Sequence, residues 1–154
     1  VDALYEAALV DALGVARGQR ELLPLDTPSA GGGFTRTIDG RYIVRPLALH
    51  FRIVTDATVA NRTVYVQYRD TNGVAFASML APVNVTASTT VDFAFWRGLG
   101  QADWIGTTPV TVPLMEAFLL PSWQLAVAID GVQAGDQLSR IRLYQEEFPT
   151  DRAH

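Results

Sequence analysis

The sequence predicts an all-β protein, an antiparallel β-sandwich with an N-terminal α-helix. Three observations carry that expectation. From Phe34 onward, apolar and polar residues alternate with a period of two in short runs. These runs recur at intervals of roughly 10 to 14 residues, and Gly, Pro, Asn and Asp punctuate the gaps between them. About eight strands spaced in this way suit a sandwich or barrel, and a jelly-roll-like sandwich is the favoured form.

Residues 1–22 form the one strongly helical stretch. At 100° per residue Val1, Leu4, Tyr5, Ala8, Leu9, Ala12, Val15 and Ala16 fall on one arc, and Asp2, Glu6 and Arg17 fall opposite. The early acids and late arginine match the helix dipole, and Gly18 is a plausible stop. Residues 23–33, with two prolines and three consecutive glycines, read as a linker. The sandwich is expected over 34–148, with a short tail at 149–154.

The expected strands are FTRTI (34–38), YIVRPLALHFRIVTD (42–56), RTVYVQYRD (62–70), VAFASML (74–80), TTVDFAFW (89–96), PVTVPL (109–114), SWQLAVAID (122–130) and LSRIRLYQEEF (138–148). In the second, Leu47, Leu49, Phe51 and Ile53 share a face, and Pro46 belongs at an edge or bend. In the third, Val64, Val66 and Tyr68 point one way, and Asp70-Thr71-Asn72-Gly73 then turns the chain into a hairpin. The longest irregular stretch, 98–109, is a candidate surface loop.

Composition narrows the function. A chain of 154 residues has the length of one domain, enough to bury roughly 70% of the surface its unfolded form exposes. There is no cysteine, which excludes disulfides and thiolate metal sites. The 12 basic residues, all arginine, are outnumbered by 16 acidic ones, and no basic cluster stands out. Nucleic acid is therefore not an expected partner. No apolar run approaches the ~20 residues that span a bilayer, so no membrane is expected either. The first residues include Asp2 and Glu6 and no basic stretch, so they do not read as a secretory signal.

Chemistry is sparse. The serines sit in no Gly-x-Ser-x-Gly elbow, and His154 is the last residue. His50 belongs to an outer strand face with Ala48 and Arg52 and reads as a surface or interface histidine. Glu146 and Glu147 are adjacent on a strand and face opposite sides, unlike the convergent carboxylates of a glycosidase. Asp130 and Asp136 bracket DGVQAGDQ, which lacks the dense oxygen ligands of a calcium loop and reads as a hairpin turn. SAGGGF has no Lys-Ser/Thr after it and is no phosphate loop. No catalytic, cofactor-binding or metal-ligating residue is expected, and the chain is read as a non-enzyme.

Two runs carry a resemblance. PLALHFRIVTDATVANRTVYVQYRDTNG contains Thr55, Ala57, Thr58, Val59, Ala60, Asn61 and Arg62, and LLPSWQLAVAIDGVQAGDQLSRIRLYQEEF contains Pro121, Trp123, Gln133, Ala134, Gly135, Asp136 and Gln137. Over roughly residues 42–148 the chain resembles small β-rich virion proteins of tailed bacteriophages, of the capsid decoration or auxiliary type. The resemblance implies a structural protein on the capsid surface, made in the host bacterial cytoplasm. Its implied partners are the major capsid protein or other virion proteins, together with further copies of itself as homo-oligomers, trimers among them. In that setting Leu4, Tyr5, Leu9 and Leu13 of the helix are candidate partner-binding residues. The alternative is a receptor- or glycan-binding head-fibre or tail module, with Gln101, Asp103 and Trp104 as its loop contacts.

Overall fold

The computed structural model describes residues 18–97 and 109–150. These residues form nine strands: β1 (Gln19–Pro24), β2 (Phe34–Thr37), β3 (Tyr42–Val54), β4 (Arg62–Arg69), β5 (Ala75–Val85), β6 (Thr90–Trp96), β7 (Val110–Pro113), β8 (Gln124–Asp130) and β9 (Gln137–Pro149). One sheet has the order β1-β9-β3-β6-β7 and the other β2-β8-β4-β5. The two pack as a sandwich, and the described residues are all-β.

Alternation explains the layering. Leu49, Phe51 and Ile53 of β3, Phe93 and Phe95 of β6, and Leu138, Ile141 and Leu143 of β9 are buried on the inner face of the first sheet. Val64, Val66 and Tyr68 of β4 and Leu125 and Val127 of β8 close the core from the second sheet. Phe51 stacks on Phe93 and Phe95 at ring separations of 5.4 and 5.8 Å. Burial of such rings is the main source of stability in a domain without disulfides.

Several features depart from the sequence-based expectations. The sandwich is not wholly antiparallel, because β7 runs parallel to β6. β6 ends at Trp96 and β7 begins at Val110, a sequence separation as long as the dozen or so residues that a parallel crossover needs. Residues 19–22 are strand rather than helix: β9 is 13 residues long, and its outer edge is completed by β1 from Gln19 to Pro24. Gly18 is needed for close approach, since a Cβ there would lie 2.8 Å from the Glu147 carbonyl. The stretch expected as a linker is laid along the sandwich. Leu25 N–H donates to the Ile141 carbonyl, Gly31 N–H to the Asp136 carbonyl, and Gln137 Nε2 to the Pro28 carbonyl.

The expected strand at 74–80 is longer than its alternation suggested. It runs on through Pro82 to Val85, because a bulge between Thr63 and Tyr65 of the β4 pairing absorbs the proline. Pro46 sits at a bend as expected, but in a central strand rather than at an edge, with a bulge between Pro46 and Ala48. The helical arc and its candidate residues Leu4, Tyr5, Leu9 and Leu13 lie outside the described residues, as do Gln101, Asp103, Trp104 and His154.

Candidate functional site

Three surfaces could engage a partner or hold chemistry: the outer face of the first sheet, the loop end around Arg62, and the β5 edge. Strand register builds the first of these in rows. Arg20, Glu146 and Arg45 stand in line across β1, β9 and β3. Arg20 Nε donates to Glu146 Oε1 at 2.8 Å, Arg45 Nη2 donates to Glu146 Oε2, and Glu116 bridges Arg45 and Arg97 at the rim. Burial alone would push the Glu146 carboxyl up, but hydrogen bonds from the two arginines prevail and hold it below the ordinary carboxylate range.

The next rows are apolar and aromatic. Leu22, Tyr144, Ala48 and Trp96 are cross-strand neighbours, and Pro24, Arg142, His50 and Ala94 follow. The His50 and Trp96 rings lie 5.0 Å apart. His50 is thus half-buried rather than a plain surface residue. Burial first, and the Arg142 charge second, lower its pKa to about 4. The last row pairs Arg52 with Asp92 in a bidentate contact at 2.7 and 2.9 Å. Glu147, on the other side of β9, is raised by burial and by the neighbouring Glu21. The two adjacent glutamates do face opposite ways and meet opposite environments.

The second surface proves to be a clamp. Arg62, at the start of β4, is fully buried. Its Nε and Nη2 donate to the two Asp136 oxygens at 2.8 and 3.0 Å, and Nη2 also reaches Asp56 Oδ1 at 2.9 Å. Its Nη1 donates to the Thr58 and Ala60 carbonyls at 3.0 and 2.7 Å. All five guanidinium N–H groups are therefore satisfied. Asp136 in turn accepts the Asp56 and Gln133 backbone N–H groups at 2.9 and 2.8 Å. Burial opposes its ionisation, yet these donors leave its pKa lowered. Gly131 closes the arrangement at φ +74°, with the Asn61 carbonyl 2.3 Å from where a Cβ would stand.

The two runs that carry the sequence resemblance meet in this clamp. Sequence reading placed both in turns but missed that Arg62 and Asp136 are partners. An arginine directly before an alternating strand and an aspartate inside a Gly-rich turn were the available signals. Asp130 accepts a hydrogen bond from the Tyr65 hydroxyl, and Asp136 points into the clamp, so DGVQAGDQ is a turn; it is not the expected hairpin, because β8 and β9, which it joins, belong to different sheets. No group of three or more His, Asp or Glu side chains suited to a metal occurs among the described residues.

The third surface is the edge of the second sheet. Among the described residues, strand β5 pairs with β4 alone. Along it Phe76, Leu80 and Val83 are 47%, 54% and 40% exposed, with Val74 in the preceding turn at 61% and Met115 beside it at 44%. Phe76 sits at a bulge that turns its ring onto Trp123, 5.0 Å away, and beside Tyr68. From Thr71 to Val91 no residue is charged.

No protein-family model matches this chain, and no curated protein matches it. Among solved structures it has a weak similarity to that of infectious bursal disease virus Gx strain, at 14% identity and a TM-score of 0.33, covering 89% of this chain and 35% of that one. The crystal structure of the T13 IBDV viral particle is similar to the same degree, at 11% identity and a TM-score of 0.33, covering 87% and 32%. The chain spans about a third of the length of each. Both are structures of an icosahedral virus.

Proposed function

We propose that this chain is a structural virion protein, an auxiliary capsid protein of a tailed bacteriophage that decorates and cements the head shell as a homo-oligomer. The observation that carries the reading is the Arg62–Asp136–Asp56 clamp. The residues behind the sequence resemblance are spent on holding loops together, with every donor of Arg62 satisfied internally. Such residues serve a rigid support rather than a reaction. The strand order is consistent with this. β1-β9-β3-β6 facing β2-β8-β4-β5 reads as a double-sheet jelly roll with β7 added at one edge, an architecture that viral capsid domains use. Fold alone does not fix function, so the reading rests on a binding test.

In this proposal Leu4, Tyr5, Leu9 and Leu13 anchor the chain on a neighbouring subunit or on the shell. Burial of each leucine would contribute roughly 1.5 to 3 kcal/mol. Because β1 is part of the first sheet, the informative truncation begins at Gly18, before that strand. The full chain should co-sediment saturably with preformed head shells lacking it, and the truncated chain should stay folded but lose attachment. Absence of shell binding together with specific hits on a glycan array would replace the proposal by the receptor- or glycan-binding alternative.

A further inference from the structure

The edge strand β5 lacks the charge that usually protects a sheet edge. Exposed edges are normally blunted by charge, proline, bulges, short length or cover. Here the edge strand is 11 residues long, and the charge-free run from Thr71 to Val91 includes all of it. Large apolar side chains stand exposed on it and beside it. It is interrupted by the bulge at Phe76 and by the one that absorbs Pro82, which leave Ala77 to Leu80 in continuous register between them. In that segment alternate residues direct their backbone N–H and C=O away from β4, with no strand on that side among the described residues.

A partner for this edge must bring an extended backbone and no charge. A charged partner would be desolvated there without a counter-ion to meet. A second copy of the chain offers the same neutral strand. We infer that β5 is a two-fold contact, with the segments centred on Met79 of two copies pairing antiparallel so that their four-stranded sheets become one continuous sheet. A two-fold contact is closed and uses the same patch twice. With the axis near Met79, Leu80 of each copy lies opposite Ser78 of the other, and the two Leu80 side chains are diagonal neighbours. The inference adds a contact strand and a symmetry to the homo-oligomer proposed above, but it is tested without any shell.

The test is sedimentation equilibrium of the full chain and of Leu80→Lys. Leu80 is half exposed on the outer face, so the lysine can be solvated in the monomer and the melting temperature of the separated chain should hold. The wild type should associate in pairs, and Leu80→Lys should weaken association by at least about tenfold, since like charges are then set against each other. An equimolar mixture of Leu80→Lys and Leu80→Glu should restore the pairs as mixed species. As a measurement that needs no variant, amide hydrogen exchange at Ala77–Ala81 should slow as wild-type concentration rises. A wild-type chain monomeric at all concentrations, a trimer indifferent to Leu80→Lys, or exchange at Ala77–Ala81 independent of concentration would each overturn the inference. Shell binding that persists in Leu80→Lys leaves the decoration reading standing while the association result judges this one.

Discussion

Both ends of the β4–β5 pair carry polar demands, and they meet them in opposite ways. At the clamp, Arg62 opens β4 with five internal hydrogen bonds and two carboxylates closed around it. Along the neighbouring edge, β5 has no charge at all and leaves Phe76, Leu80 and Val83 in water. The difference separates residues that hold the sandwich from residues that it presents. A buried charge is tolerated only when fully partnered, so the clamp is internal by necessity. An uncharged apolar edge gains from being covered, so it looks outward.

Substitutions should break that contrast to very different extents. Asp136→Leu removes both the bidentate partner of Arg62 and the acceptor for two backbone N–H groups. The melting temperature should fall by about 10 °C or more, the scale for stranding a buried charge in a domain of this size. Calorimetry showing a fall of only a degree or two would mean that the clamp is dispensable. Gly131→Ala should cost less, several degrees, because it forces a side chain onto the Asn61 carbonyl at positive φ. Glu146→Gln keeps the shape and loses charge assistance from Arg20 and Arg45, and a shift of about 4 °C is expected. Leu80→Ser, at the edge, should leave the melting temperature of the monomer within about 1 °C.

Acid should sharpen the same comparison through groups that belong to the clamp and the first sheet. His50 has a folded pKa lowered to about 4, below its ordinary value near 6.5, so the folded state resists its protonation. Stability is therefore level above about pH 6.5 and declines as pH falls from there to about 4. Asp136 and Glu146 have lowered folded values. Their contribution is present above the ordinary carboxylate range and is lost as pH falls through the folded values. Thermal melts from pH 8 to pH 3 should show a first decline that His50→Gln abolishes, followed by a second that it leaves in place.

How much of this was legible beforehand depended on whether a signal was local. The hairpin from Thr63 to Gly73 was readable, because alternation marked the strand and Asp70 closes the turn by accepting the Asn72 and Val74 N–H groups. The inward sets of β4, β6 and β8 followed from period two alone, whereas in β3 the bulge between Pro46 and Ala48 takes Leu47 out of the set that Leu49, Phe51 and Ile53 form. β1 was not readable, since Gln19–Pro24 has a weak alternation and becomes a strand only because β9 offers it the edge opposite β3. The parallel placement of β7 and the continuation of β5 through Pro82 were likewise hidden, as both depend on a neighbour's register. At the candidate site, the absence of a nucleophile and base constellation could be read from the sequence, but the pairing of Arg62 with Asp136, 74 positions apart, could not.

The sequence by itself determined the class of architecture, because a side-chain period of two is a property of each strand and needs no partner to be visible. It also determined that the edge from Thr71 to Val91 would be neutral, since charge is counted residue by residue. Only the tertiary structure decided which strands share a sheet, which side of β5 is left open, and which carboxylates close on Arg62. Those are choices among distant segments, made by the total burial and hydrogen bonding of the folded chain rather than by any stretch of it.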